Sequence, residues 1–404
     1  MHGPTVAGIP VAFFLFALTL LGVALFHHRT LHVALIGLAS ITAYKLVFTT
    51  FDGLAGLAGL AAHMAHEWVV LTNLLGLLVG FALLSDQFEK SRVPEWLPIV
   101  LPDDWRGPAT LLVLIFVLST FLDNIAAAII GGTIAATVFR GKVHVGYLAA
   151  IVAASNAGGA GSVVGDTTTT MMWISGLSAL EILKGFLPAG VALAVFAIPA
   201  ALKQQAYSPI VRAPPGGLRI DWPRLAIVCI VLGLAITTNV VVNLHFTAVA
   251  DQFPFIGAAV WVALVLTAPW RAPNWQLVRP AVSGSMFLLS LVVCASMMPV
   301  GSLPAPSWQT TLGLGFVSAV FDNIPLTKLA LEQGGYDWAA LAYAVGFGGS
   351  MIWFGSSAGV AISTRFPEAK SVFAWLRHGW YVALAYVVGF AAYIALIGFE
   401  ASAG

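Results

Sequence analysis

The sequence predicts an all-α polytopic membrane protein made of two inverted repeats, each with about five transmembrane helices, a re-entrant helical hairpin and a broken helix. Three observations lead there. Of the 404 residues, 59% are hydrophobic and 9% charged, against about 25% charged residues in an ordinary soluble domain. Apolar stretches recur at close to the ~20 residues a helix needs to cross the hydrocarbon core. Finally, LPDDWRGPATLLVLIFVLSTFLDN at 101–124 matches LPAPSWQTTLGLGFVSAVFDN at 303–323 in order and character.

Ten crossings are expected, at about 8–26, 31–50, 68–85, 145–175, 185–202, 224–243, 253–269, 280–300, 339–364 and 378–398. The first reads as a span and not as a cleaved leader, because no small-residue cleavage site with soluble sequence beyond it is evident. Residues 108–139 and 304–337 are each too long for one crossing and carry Asp123-Asn124 and Asp322-Asn323 near their middles. Each reads as a re-entrant hairpin, whose broken backbone is tolerated only inside protein or along a cavity. The crossings 145–175 and 339–364 are interrupted by glycine, GGAGSVVGDTT at 158–168 aligning with GGSMIWFGSSA at 348–358. Each glycine costs ~1 kcal/mol against alanine in a helix, so the first crossing is expected to unwind around Gly158–Gly165. The polar stretch 203–223, rich in Pro and Gly, reads as a cytoplasmic linker between repeat 1 (1–202) and repeat 2 (224–404).

Orientation follows from Lys and Arg, which concentrate in short cytoplasmic loops. With both termini outside, the inner loops receive Arg29; Lys90, Arg92 and Arg106; Arg140 and Lys142; Lys203, Arg212, Arg219 and Arg224; Arg271 and Arg279; and Arg365, Lys370 and Arg377. Only Lys45, Lys184 and Lys328 fall elsewhere. The same count opens the first hairpin to the cytoplasm and the second to the exterior. Trp68, Trp105 and Trp222 lie near span ends, as interfacial anchors do. Cys229 and Cys294 sit in apolar segments and read as small core residues. No basic run with interleaved aromatics points to nucleic acid, and no nucleotide-binding motif points to ATP. A duplicated, inverted plan suits a secondary transporter, not an enzyme, and calls for no cofactor.

An ionisable group at membrane depth costs at least ~2.5–3.5 kcal/mol, so it is kept mainly where it pairs, lines a cavity or binds something. Asp123, Asp166 and Asp322 therefore mark one central site and are the candidate proton carriers. Ser119 and Ser318 precede the two Asp-Asn pairs by about one helical turn. A small hard cation prefers carboxylate, amide, hydroxyl and carbonyl oxygens, all of which an open hairpin tip supplies. The plainer reading is that Asp and Asn only cap half-helices. Around the first glycine break, Asn156, Ser162, Asp166, Thr168 and Thr169 surround freed backbone groups; the second break carries Ser350, Ser356 and Ser357 but no carboxylate. An asymmetric site is expected. Lys328 has several roles open to it: neutralising Asp322, pairing with Glu332 at i,i+4, snorkelling outward, replacing a second bound cation, or taking part in proton exchange. His63, His66 and Glu67 lie in what reads as a Gly/Ala-rich outer loop, without the further ligands a metal site needs.

SNAGGAGSVVGDTTTTMMWI at 155–174, with FLDN upstream and FDNIPL in the second half, resembles the NhaD-type sodium/proton antiporters of the ion transporter superfamily. That superfamily also holds arsenite carriers and sodium-coupled citrate and dicarboxylate carriers. The likeness is strongest over about 101–175 and 303–365. Position by position it implies roles for Ser119, Asp123, Asn124, Asn156, Asp166, Thr168 and Thr169, and in the second half for Ser318, Asn323, Ser356 and Ser357. It implies exchange of internal Na⁺ or Li⁺ for external protons across a bacterial inner membrane, a scaffold part and a moving part within the lipid, and leaves a homodimer open. At 161 and 163 this chain has Gly and Val where the family pattern has Trp and Pro, which predicts a roomier pocket. The expected mechanism is alternating access in which cation and protons compete for the same carboxylates; the alternative is a Na⁺- or proton-coupled carrier of a small organic anion such as citrate or a dicarboxylate.

Overall fold

A computed structural model describes residues 3–26, 29–51, 53–211, 219–250 and 252–402. Residues 212–218 of the linker, Arg212 among them, lie outside the described residues. Apart from a small hairpin of β1 (Thr5–Val6) on β2 (Ile9–Pro10), the architecture is helical. Pro10 ends that hairpin and stands at the N-cap of α1 (Val11–Leu25), where the N–H it lacks is not required. Then come α2 (Thr30–Phe48) and α3 (Gly56–Lys90). At 1.5 Å per residue α3 is about 52 Å long, well beyond the ~30 Å hydrocarbon core. It takes in His63–Glu67, expected in a loop, because the alanines around them are the strongest helix formers and outweigh the glycines.

A short α4 (Val93–Trp96) leads to α5 (Arg106–Ser119) and α6 (Asn124–Val138), separated at 120–123. α7 (Val145–Gly159) and α8 (Thr167–Ile174) flank a break at 160–166. The first half closes with α9 (Ala179–Leu183) and α10 (Phe186–Tyr207). α10 runs past the expected end at 202. Gln204 stabilises this last turn by accepting from His144 N and donating to the carbonyls of Lys142 and Ser208.

The second half repeats the order. α11 (Trp222–His245), α12 (Thr247–Ala250), α13 (Phe255–Thr267) and α14 (Val278–Ser296) come first. α15 (Trp308–Ser318) and α16 (Asn323–Gln333) follow, then α17 (Trp338–Gly348) and α18 (Ser357–Arg365). α19 (Val372–His378) and α20 (Trp380–Leu396) are bent by 62° where Gly379 interrupts them. Among the described residues five helical stretches are long and apolar enough to cross a membrane: Thr30–Phe48, Gly56–Lys90, Ala179–Tyr207, Trp222–Asn243 and Trp275–Ser296. The chain is a multi-pass membrane protein. α1 and α13, with 15 and 13 residues, are shorter than the spans expected for them. Cys294 is buried, but Cys229 faces outward from α11 and is no core residue.

Packing follows one scheme in both halves. α5 lies on α7, and α15 on α17; α6 crosses to α18, and α16 to α8; α2 packs on α14, and α13 on α3. α10 and α20 pair directly. Glycines permit the closest approaches: a Cβ at Gly158 would collide with Phe116 O, and one at Gly348 with Gly315 O. These contacts bring the two chain breaks of each half against those of the other.

Candidate functional site

The two broken helices meet at Asp166. Its backbone, at φ −144° and ψ 143°, stops helix formation after the 160–166 break and makes it the N-cap of α8, yet its side chain makes no capping hydrogen bond. The carboxylate, 1% exposed, is held by side chains from both halves. Asn124 Nδ2 donates to Asp166 Oδ1 and to Asn156 Oδ1, both at 3.0 Å. Asn323 Nδ2 reaches Asp166 Oδ2 at 3.4 Å. Asn156 in turn donates to Ser350 Oγ at 2.9 Å and Ser356 Oγ at 3.1 Å. Thr168, on the first turn of α8, is fully buried with its hydroxyl beside this carboxylate. Ser350, one of the hydroxyls expected at the second break, directly follows its paired glycines.

The halves differ at matched positions. Aligning Gly158-Gly159 with Gly348-Gly349 sets Ser356 opposite Asp166, and Gly346 opposite Asn156. A Cβ on Gly346 would come within 3.1 Å of Asp166 Oδ2, so the missing side chain provides room for the carboxylate. Ser356 caps α18 by accepting from Gly359 N. Asp322 likewise caps α16, accepting from Ile324 N at 3.1 Å and from the Ser357 hydroxyl at 3.3 Å. Asp123 occupies the equivalent N-cap position of α6 without a side-chain capping bond.

Three expected ligand hydroxyls point elsewhere. Ser119 Oγ donates to Ser155 O at 2.5 Å, and Ser318 Oγ to Val345 O at 2.6 Å, so this matched pair fastens α5 to α7 and α15 to α17. Thr169 Oγ1 donates to Asp166 O, its own helix's first carbonyl. Ser162 ties the first break to the 120–123 break by donating to Thr120 O at 2.6 Å, while accepting from Val164 N and Gly165 N.

Two cavities flank this cluster. Asp123, Asn124, Asp166 and Asn323 line one of about 360 Å³, with Phe81 and Ser85 of α3 and Ser285 of α14 on the opposite wall. Asp322, Ser356 and Ser357 line another of about 180 Å³ against Leu20 and Phe287. Ser357 borders both. The larger cavity contains carboxylates and no Lys or Arg. Gly161 does not enlarge it, since Phe186 occupies the space where a side chain would stand.

Lys328 does not compensate Asp322. Its ammonium sits between Glu67, at 2.8 and 3.0 Å, and Glu332 at 2.7 Å. Both Lys328 and Glu67 are buried, and their pair joins α16 to α3. Glu67 is the polar partner the sequence concealed: only its position about three turns into a helix, not a loop, aims it inward. His63, one turn earlier, meets Ser296 Oγ at 3.0 Å, while His66 is exposed.

Comparison with known proteins bears on this arrangement. Over 344 residues the chain is 29% identical to sodium/proton antiporter 1 of Arabidopsis thaliana, a match covering 72% of this chain and 56% of that protein. It is 28% identical over 316 residues to sodium/proton antiporter 2 of the same plant, covering 70% and 72% of the two chains. Against the Na(+)/H(+) antiporter NhaD of Alkalimonas amylolytica it is 26% identical over 332 residues, 69% and 67% of the respective lengths. No family model matches the chain. The chain thus spans little more than half of the first of these relatives. Its resemblance is to NhaD-type sodium/proton antiporters, as the motifs at the chain breaks imply.

Proposed function

We propose that this protein is a secondary transporter exchanging Na⁺ or Li⁺ for protons, with Asp166 at the centre of the exchange. One observation carries the reading: a buried carboxylate beside a cavity, held by amide groups from both halves and bonded to no cation among the described residues. Amide donors orient the carboxylate without neutralising it. A proton or a hard monovalent cation can then supply the missing charge, and each excludes the other. Asp123, on the same cavity wall, the Thr168 hydroxyl and the Asn oxygens complete an oxygen-rich shell. The names of the relatives support sodium as the cation.

Alternating access would work by moving one part against another. In this reading 1–202 and 224–404 are inverted repeats, α5–α6 and α15–α16 are re-entrant hairpins, and 203–223 links the halves on the cytoplasmic side with both termini outside. The exchanged packing of α6 on α18 and α16 on α8 supports that symmetry. The group α1–α3, α11, α13 and α14 serves as scaffold, and the broken helices with their hairpins move. The absence of Lys and Arg from the larger cavity lends the organic-anion alternative no support.

Purified protein in liposomes, with internal pH read on addition of Na⁺, Li⁺, K⁺ or citrate, tests the proposal. Na⁺ and Li⁺ should shift internal pH in wild type and leave it unchanged in Asp166→Asn. A response to citrate alone would overturn it.

A further inference from the structure

A third cavity, of about 250 Å³, lies farther along α8 and is lined by Asn73, Ser175, Gly176, Asn239 and Asn243. We infer that this crevice is the vestibule through which the exchanged cation reaches Asp166 from the side of the membrane opposite the larger cavity. The inference rests on the transport reading above and adds a route and its residues.

The positions along two helices carry it. On α8, Asp166 and Thr170 border the larger cavity, whereas Ile174, Ser175 and Gly176 border the crevice. On α3, Leu74, Leu77 and Phe81 border the larger cavity and Asn73 the crevice. On α8 four residues separate Thr170 from Ile174, about 6 Å of helix axis, and on α3 the two spaces adjoin at Asn73 and Leu74. Leu74 and Met171, both fully buried in one apolar cluster, form the layer between them. A barrier one helical turn thick is the kind that small helix shifts open or close.

The crevice chemistry suits a partly hydrated monovalent cation. Asn239 and Asn243 stand at i,i+4 on α11, a helix that otherwise turns many apolar side chains outward. Polar groups there are costly unless they face protein or water. Asn243 Nδ2 donates to Asn239 Oδ1 at 2.9 Å, Asn239 Nδ2 approaches Trp173 O at 3.4 Å, and Asn73 Oδ1 accepts from Gly257 N at 3.0 Å. The C-terminal end of α8 adds carbonyl oxygens at the negative pole of its dipole. Among the described residues the lining oxygens are neutral, and neutral oxygens favour weak, rapidly released coordination, which suits a passage better than a storage site.

Sided labelling tests this in the full-length chain carrying Cys229→Ser and Cys294→Ser. Asn243→Cys and Ser175→Cys should react with a charged, membrane-impermeant thiol reagent from one face of the vesicle, and Ser85→Cys from the other. Labelling from the same face, or reaction of Ser85→Cys while both crevice cysteines stay inert, would overturn the inference. Asn243→Leu should raise the apparent KM for Na⁺ presented on the crevice side by about two- to tenfold, the effect of one lost hydrogen-bonding group. An unchanged KM from that side counts equally against it. Labelling needs no transport, so absent Na⁺/proton exchange with intact sidedness would refute the proposed function and leave the vestibule standing.

Discussion

The breaks at 160–166 and 349–356 share a backbone plan and divide the chemistry between them. Each adjoins paired glycines, each ends a helix that a serine hydroxyl from a neighbouring helix fastens, and each restarts a helix at an acid or hydroxyl N-cap. Yet the first presents Asp166 and Asn156, and the second offers Ser356 and an empty place at Gly346. The missing side chain at Gly346 leaves room for the carboxylate that Asp166 brings from the other half. Similar geometry therefore does not imply similar duty, and the two halves should respond unequally to equivalent substitutions.

The largest expected inequality is between Asp166→Asn and Asp322→Asn. The former should reduce Na⁺-driven proton movement in everted vesicles to background, and the latter should retain measurable exchange, because Asp322 already satisfies a helix cap and Ser357. Equal loss in both would remove the asymmetry. Next, Lys328→Met strands the Glu67 carboxylate in the interior, a change worth about 3–5 kcal/mol for a buried pair. A marked drop in Tm in detergent should follow, with Lys328→Met plus Glu67→Leu recovering much of it; no recovery would mean that the pair is not the source.

Smaller effects discriminate the two asparagines. Asn124→Ala removes hydrogen bonds to two partners, one of them the carboxylate, and should weaken apparent Na⁺ affinity about tenfold to a hundredfold, given ~1.5–3 kcal/mol for a bond to a charged group. Asn323→Ala removes one bond at 3.4 Å and should do less. The reverse order in a Na⁺ titration would show that the second half dominates. Gly346→Ala should cost about 1 kcal/mol or more through crowding, read as raised KM with little change in Tm. The mildest case is the exposed tie between Asp221 and Arg271, at 2.9 Å. The Arg271 hydrogen bond and charge hold the Asp221 carboxyl below its usual range. Its contribution is present above the ordinary aspartate pKa and lost as pH falls through the lower folded value. Asp221→Asn should barely move Tm at neutral pH, in contrast with Lys328→Met.

Much of this was legible locally. Glycines at 158, 159, 161 and 165 and the Asp-Asn pairs mark chain breaks because helix propensity and capping are properties of neighbouring residues. That Asp123, Asp166 and Asp322 would be singular was legible too, since an acid in apolar sequence needs a reason to be there. What local sequence does not encode is long-range partnership. Glu67 and Lys328 are 261 positions apart, and the pair forms only because α3 continues through a Gly/Ala-rich segment. Ser119 and Ser318 were rightly singled out as a matched pair, but whether a hydroxyl turns to a carboxylate or to a carbonyl depends on the neighbouring helix. Gly161 shows the same limit: a missing side chain leaves no vacancy where Phe186 arrives from α10.

The space at Gly346 also means that this centre cannot be assembled from two identical halves. Two identical halves would each bring an asparagine to the position now left bare, and each an acid to the cap now held by Ser356. The bulk would press on one carboxylate and a second like charge would crowd the same centre. This centre therefore depends on the two halves being unlike at positions 346 and 356. Grafting the first half's motif onto the second would therefore be expected to abolish the centre, not double it.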